Sequence, residues 1–457
     1  MVAQTIVPEL TNIVGARGIL VGEDARRSCD PFTHVPNISA AIVRPDSTQE
    51  LADVVRLCAD RNQQIVVHGG LTGVSGGGYT ARGDIVISLE RMRRIENIST
   101  VSRTATVQAG VTIQALHDAA EAQRLYYPVD LGSRGSATVG GTISTNAGGN
   151  SVLRWGMTRQ QVLGVEAVLP DGTIVDAMNS LVKNNTGYDV KQFFIGSEGT
   201  LGIVTRAVLR LVSLPTSRST ALFAFDDFDA VLSLLDHAQR LPSLSAFEVM
   251  WNDYYELVSP VAVSRPPLPR IYPYYALIET AGYHPRLDEE AFTEFAEAVY
   301  SGGIAKDVVV AQSEQQRSDF WKIREAGETA ARLLRPCLAF DISVHLTDME
   351  DYVLRLRAAL AQAFSSVALV VFGHLGDNNI HLGVTIGEST MDQAERIEDV
   401  VYGLLAPIGG SISAEHGIGT KKKGALRLSR SPEELDLMRR IRTAIDPDRR
   451  FNSRVLF

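Results

Sequence analysis

The sequence of 457 residues has little cysteine: Cys29, Cys58 and Cys337 are its complete set. An odd number of cysteines without a Cys-x-x-Cys pair argues against a disulfide framework and against a cysteine-only metal site. Reduced thiols of this kind are usual in cytosolic proteins. The sequence therefore favours a cytoplasmic protein whose stability comes from its core.

Long apolar runs and basic runs are also scarce. No apolar stretch approaches the ~20 residues that a membrane-spanning helix needs. The first thirty residues lack a basic segment followed by an apolar one, so no signal peptide is predicted. The formal net charge of −9 argues against a nucleic-acid partner, since such partners usually require a basic surface. We expect no integral membrane segment and no nucleic-acid binding.

Apolar residues make up 45% of the chain and charged residues 21%, which permits a sizeable core. At roughly 100–200 residues per domain, this length suggests two to four domains. A helical lead-in is predicted over 1–35, and short strands with helices follow over 36–214. Longer amphipathic helices alternate with strands over 215–410. A C-terminal segment over 411–457 holds a glycine-rich turn, a charged helix and a tail. The mixture predicts an α+β fold.

Glycine is abundant, with 38 residues, and four glycine-rich segments lie in the first domain: 68–78, 130–150, 183–189 and 196–202. Glycine lets backbone amides approach a ligand closely, and successive amides form nests suited to a pyrophosphate. The Gly76–Ala81 match to G-x-G-x-x-A precedes a predicted strand, which is the wrong context for a Rossmann site. No Walker A motif is present. The four segments together predict another kind of nucleotide site.

Residues 138–149 (TVGGTISTNAGG) and 194–205 (FIGSEGTLGIVT) closely resemble the D-lactate and D-2-hydroxyglutarate dehydrogenase branch of the vanillyl-alcohol-oxidase type of FAD-binding proteins. The resemblance extends from about residue 36 to 457. It implies a two-part FAD-binding domain and a substrate (cap) domain with an antiparallel sheet. It also implies a C-terminal helical segment that completes the active site and returns to the FAD domain.

The resemblance further implies a set of residues that contact FAD. They are Gly69, Gly70, Leu71, Thr72, Gly73, Gly76, Asp130, Thr138, Gly140, Gly141, Ser144, Asn146, Gly148, Gly149, Gly156, Glu198, Gly202, Ile203 and Asn452. Covalent relatives carry a histidine at the position of Leu71. We therefore expect FAD to be bound non-covalently.

Two late segments, 372–383 and 413–419, hold three of the nine histidines. The first predicts a hairpin with a turn at 376–379. In that register His374 opposes His381, and directly paired side chains have Cβ atoms about 4.5–5.5 Å apart. Two imidazoles so placed, with Glu415 as third ligand, suit zinc with an open position; Mn²⁺ or Fe²⁺ accept the same ligands. The adjacent His416 is a candidate base, because histidine titrates near neutral pH.

The resemblance agrees with this assignment, since it implies His374, His381 and Glu415 as metal ligands and His416 as the base. It adds Arg324, within the predicted helix at 321–325, as the group that binds the substrate carboxylate. A guanidinium can bind a carboxylate through two parallel hydrogen bonds. The alternative for Arg324 is a surface position, paired with Glu325 or Glu328.

The implied reaction is FAD-dependent, metal-assisted oxidation of a D-2-hydroxy acid to the 2-oxo acid. Relatives that oxidise hydroxyglutarate carry a lysine and an asparagine where this chain has Ala339 and Gly383. Because burying an unpaired carboxylate is costly, we predict a monocarboxylate with an apolar or aromatic side chain, such as lactate or mandelate.

Electrons would pass to an acceptor other than NAD, such as an electron-transfer flavoprotein, a quinone or a cytochrome, and the expected assembly is a homodimer. Three alternatives stay open at this point. They are D-2-hydroxyglutarate dehydrogenase activity, a metal-free flavin oxidase acting on a sugar or lactone, and a non-catalytic FAD-containing electron-transfer subunit.

Overall fold

The structure is a computed structural model that describes residues 2–31 and 34–457. It divides into two compact units. Unit one contains the described part of 1–149 together with Trp155–Leu214 and Glu415–Phe457. Unit two contains Asn150–Arg154 and Pro215–Ala414. The domain limits drawn from the sequence stay predictions.

The helices follow one another along the chain as α1 (Val2–Val14), α2 (Thr48–Asp60), α3 (Ile113–Glu121), α4 (Val139–Thr145), α5 (Val152–Trp155), α6 (Thr158–Gln161), α7 (Lys191–Phe194), α8 (Phe228–Ala238), α9 (Asn252–Ala262), α10 (Pro285–Ser301), α11 (Glu314–Arg324), α12 (Gly327–Leu333), α13 (Met349–Ala363), α14 (Ala394–Gly403) and α15 (Pro432–Ile445). Several begin at a side-chain cap. Thr112 accepts a hydrogen bond from the backbone N–H of Ala115, and Ser431 forms a capping box with Glu434.

The strands are β1 (Ile19–Leu20), β2 (Ala41–Val43), β3 (Ile65–His68), β4 (Ile85–Ser88), β5 (Ile95–Ser99), β6 (Thr104–Gln108), β7 (Leu125–Tyr126), β8 (Val162–Val168), β9 (Ile174–Ala177), β10 (Ile203–Arg210), β11 (Val212–Ser213), β12 (Ser217–Phe225), β13 (Leu244–Trp251), β14 (Tyr274–Gly282), β15 (Asp307–Val310), β16 (Leu338–Ser343), β17 (Ala368–His374) and β18 (Asn379–Thr385).

Unit one contains two main sheets. The first has the order β1-β2-β4-β3, with β2 and β3 parallel to β4. The second is antiparallel, in the order β5-β6-β10-β8-β9. The C-terminal tail returns to the first sheet, where Phe451 forms a parallel bridge with Ile65. The first glycine-rich loop begins at the end of β3, and the tail lies beside that strand.

The predicted lead-in over 1–35 is only partly helical, so this expectation needs correction. Helix α1 ends at Val14, and β1 pairs antiparallel with β2. Gly15 and Gly22 have φ of 69° and 60°, a left-handed conformation that an α-helix does not contain. Gly15 therefore ends the helix before β1, and Gly22 turns the chain after that strand.

Unit two is built on an antiparallel sheet in the order β15-β12-β14-β13-β17-β18-β16. Met250 pairs with Phe372 across β13 and β17, so even-numbered residues of both strands share one face. Helices α9 and α11 pack on that face, where Tyr254 and Ile323 join the apolar core with Met250. Every residue of β13 is buried, which makes a charged side chain on this strand unusual.

Candidate active site

Unit one contains a groove of about 180 Å³ bordered by three of its four glycine-rich segments, 68–78, 130–150 and 196–202. The remaining segment, 183–189, is among the described residues but does not line the groove, which corrects the expectation that all four form the site. Most of the residues implied to contact FAD line it: Gly69, Gly70, Leu71, Thr72, Gly73, Thr138, Gly140, Gly141, Ser144, Glu198, Gly202, Ile203 and Asn452. The candidate base His416 lines it as well. In the described part of the chain, Gly76, Asp130, Asn146, Gly148, Gly149 and Gly156 belong to unit one but are not among the lining residues.

Three of these outlying residues, Asp130, Asn146 and Gly149, make local structural contacts within unit one. Asp130 forms an ion pair with Arg134, at 2.7 Å between Oδ1 and Nη1. Asn146 ends α4 in the left-handed region, with φ of 50°, and its Oδ1 accepts a hydrogen bond from the N–H of Arg159. Gly149 has φ of +102°, and a Cβ at this position would overlap the carbonyl oxygen of Asp130. The sequence pattern identified the second glycine-rich segment as a whole. The structure shows which of its residues line the groove and which make structural contacts behind it.

The first glycine-rich loop lies directly against the second glycine-rich segment. A Cβ at Gly70 would overlap the carbonyl oxygen of Ser136, and one at Gly69 would lie 2.8 Å from Oγ1 of Thr138. Glycine is therefore required for the backbone packing itself. The resulting wall presents main chain and small hydroxyl side chains instead of bulky groups, which fits a pyrophosphate-containing ligand such as FAD.

Asn452 connects three parts of unit one. Its Oδ1 accepts a hydrogen bond from the N–H of Val67, and its Nδ2 donates to the carbonyl oxygen of Glu198 at 2.7 Å. Its own N–H donates to the carbonyl oxygen of Ile65. The C-terminal tail thereby holds strand β3 and the fourth glycine-rich segment together at the groove.

Glu198 holds the turn that follows His416. Its carboxylate accepts hydrogen bonds from the N–H groups of Ile418 and Gly419, at 2.8 and 2.7 Å. Burial raises the pKa of Glu198, although these two hydrogen bonds oppose the change. On the other side of the turn, Oγ of Ser75 donates to the carbonyl oxygen of His416. The candidate base thus lies on a tightly held turn, beside Glu415, whose Oε1 accepts from the N–H of Gly149 at 2.9 Å.

In unit two, the predicted register of the histidine hairpin is wrong by two residues. His374 pairs with Asn379, and His381 pairs with Phe372. The loop has the expected four residues but starts one residue earlier, because Asn378 adopts the left-handed conformation with φ of 70°. A shift of two keeps every side chain on its original face. The two imidazoles are therefore diagonal neighbours, with ring centroids 5.4 Å apart.

A buried carboxylate, Glu248 on β13, connects His374 to Arg324. Its Oε1 lies 2.9 Å from Nδ1 of His374, and its Oε2 accepts a hydrogen bond from Nε of Arg324 at 2.7 Å. Glu248 is 1% exposed, Arg324 4% and His374 7%. Burial by itself would raise the pKa of Glu248, but the neighbouring His374 and Arg324 outweigh it and hold that pKa below its usual range.

Arg324 is thus an interior residue, and the alternative of a surface arginine paired with Glu325 or Glu328 is wrong. Its guanidinium lies over the ring of Phe372, 5.0 Å from the ring centroid. Its Nη2 is buried and has no hydrogen-bond partner among the described residues. An unsatisfied buried donor is costly, so this atom is suited to an anionic ligand.

His381 faces a second buried carboxylate. Asp341 pairs with it across β16 and β18, and its Oδ1 lies 3.6 Å from Nδ1 of His381. Nδ2 of Asn379 donates to the same Oδ1 at 2.9 Å. Each predicted metal-binding histidine therefore has its Nδ1 directed toward a carboxylate, which is the usual arrangement around metal-bound histidines.

Sequence reasoning missed Glu248. The available signal was a single charged residue in the apolar run Leu244–Trp251, because glutamate is almost never fully buried without a partner. The pattern could have marked Glu248 as a paired carboxylate. It could not have identified the partners, which lie 76 and 126 residues away along the chain.

Two family models match the chain. A model described as "FAD binding domain" matches residues 39–178, and one described as "FAD linked oxidases, C-terminal domain" matches residues 214–456. The chain belongs to the FAD-linked oxidase family. This FAD-linked oxidase is an FAD-dependent oxidoreductase, which confirms the family and enzyme class expected from the sequence.

Several curated relatives of this FAD-linked oxidase are named D-2-hydroxyglutarate dehydrogenase. The protein of Xanthomonas citri pv. viticola is 39% identical, over 91% of this chain and 89% of its own. The mitochondrial protein of Bos taurus is 36% identical, over 98% of this chain and 82% of its own. The protein of Stutzerimonas stutzeri is 34% identical, over the full length of both.

Solved structures with low sequence identity share the fold. p-Cresol methylhydroxylase matches with a TM-score of 0.74 and 15% identity, over 98% of this chain and 95% of its own. The 4-ethylphenol oxidase from Gulosibacter chungangensis matches with a TM-score of 0.73 and 17% identity, over 97% and 95%. These matches confirm the predicted α+β class, with its FAD-binding domain and antiparallel cap sheet. Among the described residues, no helix combines the length and apolar character needed to cross a bilayer.

Proposed function

We propose that this FAD-linked oxidase oxidises a small D-2-hydroxy acid to the 2-oxo acid with the help of a divalent metal. The proposed substrate is a monocarboxylate with an apolar or aromatic side chain, such as lactate or mandelate. The names of the curated relatives support the D-2-hydroxy acid class. The choice of side chain is argued from this chain's own residues.

The observation that carries the proposal is the buried cluster in unit two. A guanidinium with an unsatisfied Nη2, Arg324, is joined through Glu248 to an imidazole that has a second imidazole beside it. A 2-hydroxy acid has a carboxylate and a neighbouring hydroxyl. The guanidinium suits the carboxylate, and metal-binding imidazoles suit a site that acidifies the hydroxyl.

The residue roles follow from this chemistry. The oxidation removes a hydride from C2 and a proton from the hydroxyl, and bound FAD supplies the acceptor for the hydride. Arg324 holds and orients the substrate carboxylate through its guanidinium. His416 takes the hydroxyl proton on a ring nitrogen, and the hydrogen bonds from Ile418 and Gly419 to Glu198 keep its turn in place.

The proposed metal ligands are His374, His381 and Glu415, the last assigned from the family resemblance. A bound divalent ion supplies Lewis acidity toward the substrate oxygens. The fit rests on the donors themselves: two imidazoles with Nδ1 directed to Glu248 and Asp341. Zinc is the proposed ion, and Mn²⁺ or Fe²⁺ suit the same donors.

The monocarboxylate proposal rests on two positions that face each other. Ala339 and Gly383 are directly paired across β16 and β18, on the face that carries His381. Val370 and Cys337 are the nearest neighbours of a Cβ placed at Gly383. The positions where hydroxyglutarate-oxidising relatives carry lysine and asparagine are therefore small and apolar here. A second substrate carboxylate would find no cation at either of them.

D-2-hydroxyglutarate is the second candidate substrate, favoured by the names of relatives that are 34–39% identical. The deciding experiment is dye-linked turnover of D- and L-lactate, D- and L-mandelate and D-2-hydroxyglutarate. We expect the highest kcat/KM for a D-monocarboxylate. Equal or faster turnover of D-2-hydroxyglutarate would overturn the side-chain proposal and leave the D-2-hydroxy acid class standing.

The same assays after chelation and zinc add-back test the metal. Activity that is lost on chelation and restored by zinc is the expected outcome. Chelator-insensitive activity would return the histidines to a structural role. No activity on any of these acids would favour the metal-free sugar or lactone oxidase. The electron acceptor, the homodimer, the non-covalent state of FAD and the cytoplasmic location stay predictions.

A further inference from the structure

Glu248 belongs to no motif that the sequence analysis used, yet it contacts two of the proposed functional side chains at once. We propose that Glu248 is the positioning residue of this site: its two oxygens set the tautomer of His374 and the orientation of Arg324 together. This inference rests on the proposed function and names a residue on which both the metal ligand and the carboxylate-binding group depend.

Glu248 determines which ring nitrogen of His374 carries the proton. An ionised carboxylate can only accept hydrogen bonds, so Nδ1 of His374, 2.9 Å from Oε1 of Glu248, carries the proton. In a neutral imidazole the lone pair is then on Nε2. A metal ligand must present a lone pair, and a carboxylate behind the ring fixes the ring orientation and increases its basicity.

Glu248 also fixes the direction of the Arg324 guanidinium. Oε2 of Glu248 accepts from Nε at 2.7 Å, the guanidinium nitrogen nearest the backbone stem. The planar guanidinium is then fixed at one edge, while Nη2 has no hydrogen-bond partner among the described residues. A structural ion pair would normally satisfy as many donors as possible, whereas this pair leaves one for a ligand.

The cost of burying Glu248 supports a functional role. Replacing a buried ion pair by apolar residues is often neutral or stabilising, so stability alone does not explain why a carboxylate lies within an entirely buried strand. Both oxygens of Glu248 instead contact proposed functional side chains, Oε1 that of His374 and Oε2 that of Arg324. The carboxylate therefore lies where it can orient both partners.

The chain offers a matched control in Glu279 on β14. It is also buried, on the same face of the same sheet, and accepts a hydrogen bond from Nε1 of Trp321 at 2.7 Å. Trp321 lies on α11, the helix that carries Arg324. The other partners of the Glu279 side chain are Arg218, Thr220 and Arg317, so its contacts are distinct from those of Glu248. Glu279→Gln therefore removes a buried charge beside the same helix without touching the proposed pair.

The experiment measures zinc affinity and steady-state kinetics of the FAD-loaded proteins, with zinc titrated against a chromophoric chelator. A neutral amide can accept from only one of the two donors. We expect Glu248→Gln to weaken zinc binding 10–100-fold and to raise KM for the substrate at unchanged FAD content. Glu279→Gln should bind zinc within about threefold of wild type, since outlying buried charges act on stability.

Each outcome is decisive. If Glu248→Gln keeps the zinc affinity and KM of the wild type, the inference about Glu248 is overturned and the proposed function stands. If Glu248→Gln and Glu279→Gln lose zinc affinity equally, Glu248 has only a structural role. A wild-type protein that binds no zinc would refute the metal part of the proposed function, and the inference with it. If Glu248→Gln does not fold, Glu248→Asp keeps the charge but shortens the reach, and the same loss relative to Glu279→Gln is expected.

Discussion

Single residues of unit one show how burial sets their chemistry. His68 comes directly before the first glycine-rich loop and is 3% exposed. Its Nε2 lies 2.9 Å from the carbonyl oxygen of Gly78, so that nitrogen carries the proton. Burial lowers the pKa of His68 to about 4, from an ordinary value of 6.5. It is therefore a neutral structural residue that braces the loop at neutral pH.

This state predicts a pH-dependent stability. Between pH 6.5 and 4 the unfolded chain binds a proton that the folded chain does not, so the free energy of unfolding falls as pH is lowered. From pH 7 to pH 5 the loss from His68 is about 2 kcal/mol. Denaturant unfolding of the wild type and of His68→Gln is measured at both pH values. The drop in the free energy of unfolding from pH 7 to pH 5 should be larger in the wild type by about this amount. Equal pH dependence in the two proteins would contradict the assignment.

A second residue-scale prediction concerns the second glycine-rich segment. Gly149→Ala combines φ of +102° with a Cβ that overlaps the carbonyl oxygen of Asp130. We expect it to lower the free energy of unfolding by about 2–5 kcal/mol, from left-handed strain and overpacking together, and to reduce FAD content on purification. Gly132→Ala is the control, because nothing lies within 4 Å of its Cβ and its φ is unexceptional. Similar behaviour of the two variants would show that the segment tolerates side chains.

At the scale of elements, the pairing of β16 with β18 brings the two proposed substrate-selecting positions together. Ala339 and Gly383 are paired, and His381 lies two residues before Gly383 on the same face. The pairing of β16 with β18 places Ala339 beside Gly383 and on the face of His381. Position 339 is therefore where a lysine would be introduced to bind a second substrate carboxylate.

Ala339→Lys should therefore raise kcat/KM for D-2-hydroxyglutarate relative to D-lactate by about tenfold, which corresponds to about 1.4 kcal/mol. Ala339 is exposed, so the substitution requires no repacking. Ala368→Lys is the control, since it adds the same charge at an exposed alanine of β17. The measurement is the ratio of the two kcat/KM values. An unchanged ratio in Ala339→Lys would show that this position does not face the substrate.

At the scale of the whole molecule, the groove of unit one depends on segments from both ends of the chain. Strand β3, helix α4 and the tail at Asn452 all contribute to it. A ligand that binds this groove in the folded state alone stabilises the fold by mass action. FAD should thus act as a structural element of unit one as well as a redox group.

Removal of FAD is expected to lower the midpoint of thermal unfolding, and FAD at a thousand times its Kd should restore about 4 kcal/mol. NAD at the same concentration should have no effect, because the glycine-rich segments do not have the Rossmann context. Differential scanning calorimetry of the apoprotein with each dinucleotide checks both statements. Stabilisation by NAD would contradict the assignment of the groove.

The sequence by itself determined those features that depend on a few neighbouring residues. Glycine-rich segments report where backbone must approach backbone, as at Gly70 against Ser136. Thr112 as a helix cap and the shared face of His374 and His381 follow from local hydrogen bonding and from the alternation of a strand. Such signals are short-range, so no knowledge of packing is needed to use them.

Only the tertiary structure decided which distant groups meet and in what register. The hairpin moved by two residues because Asn378 took the left-handed conformation. Glu248 acquired two partners far along the chain, and Arg324 became an interior residue. Pairing offsets the free-energy cost of burying a charge, and here it depends on the packing of β13, β17 and α11 together. That dependence is long-range, and no local pattern contains it.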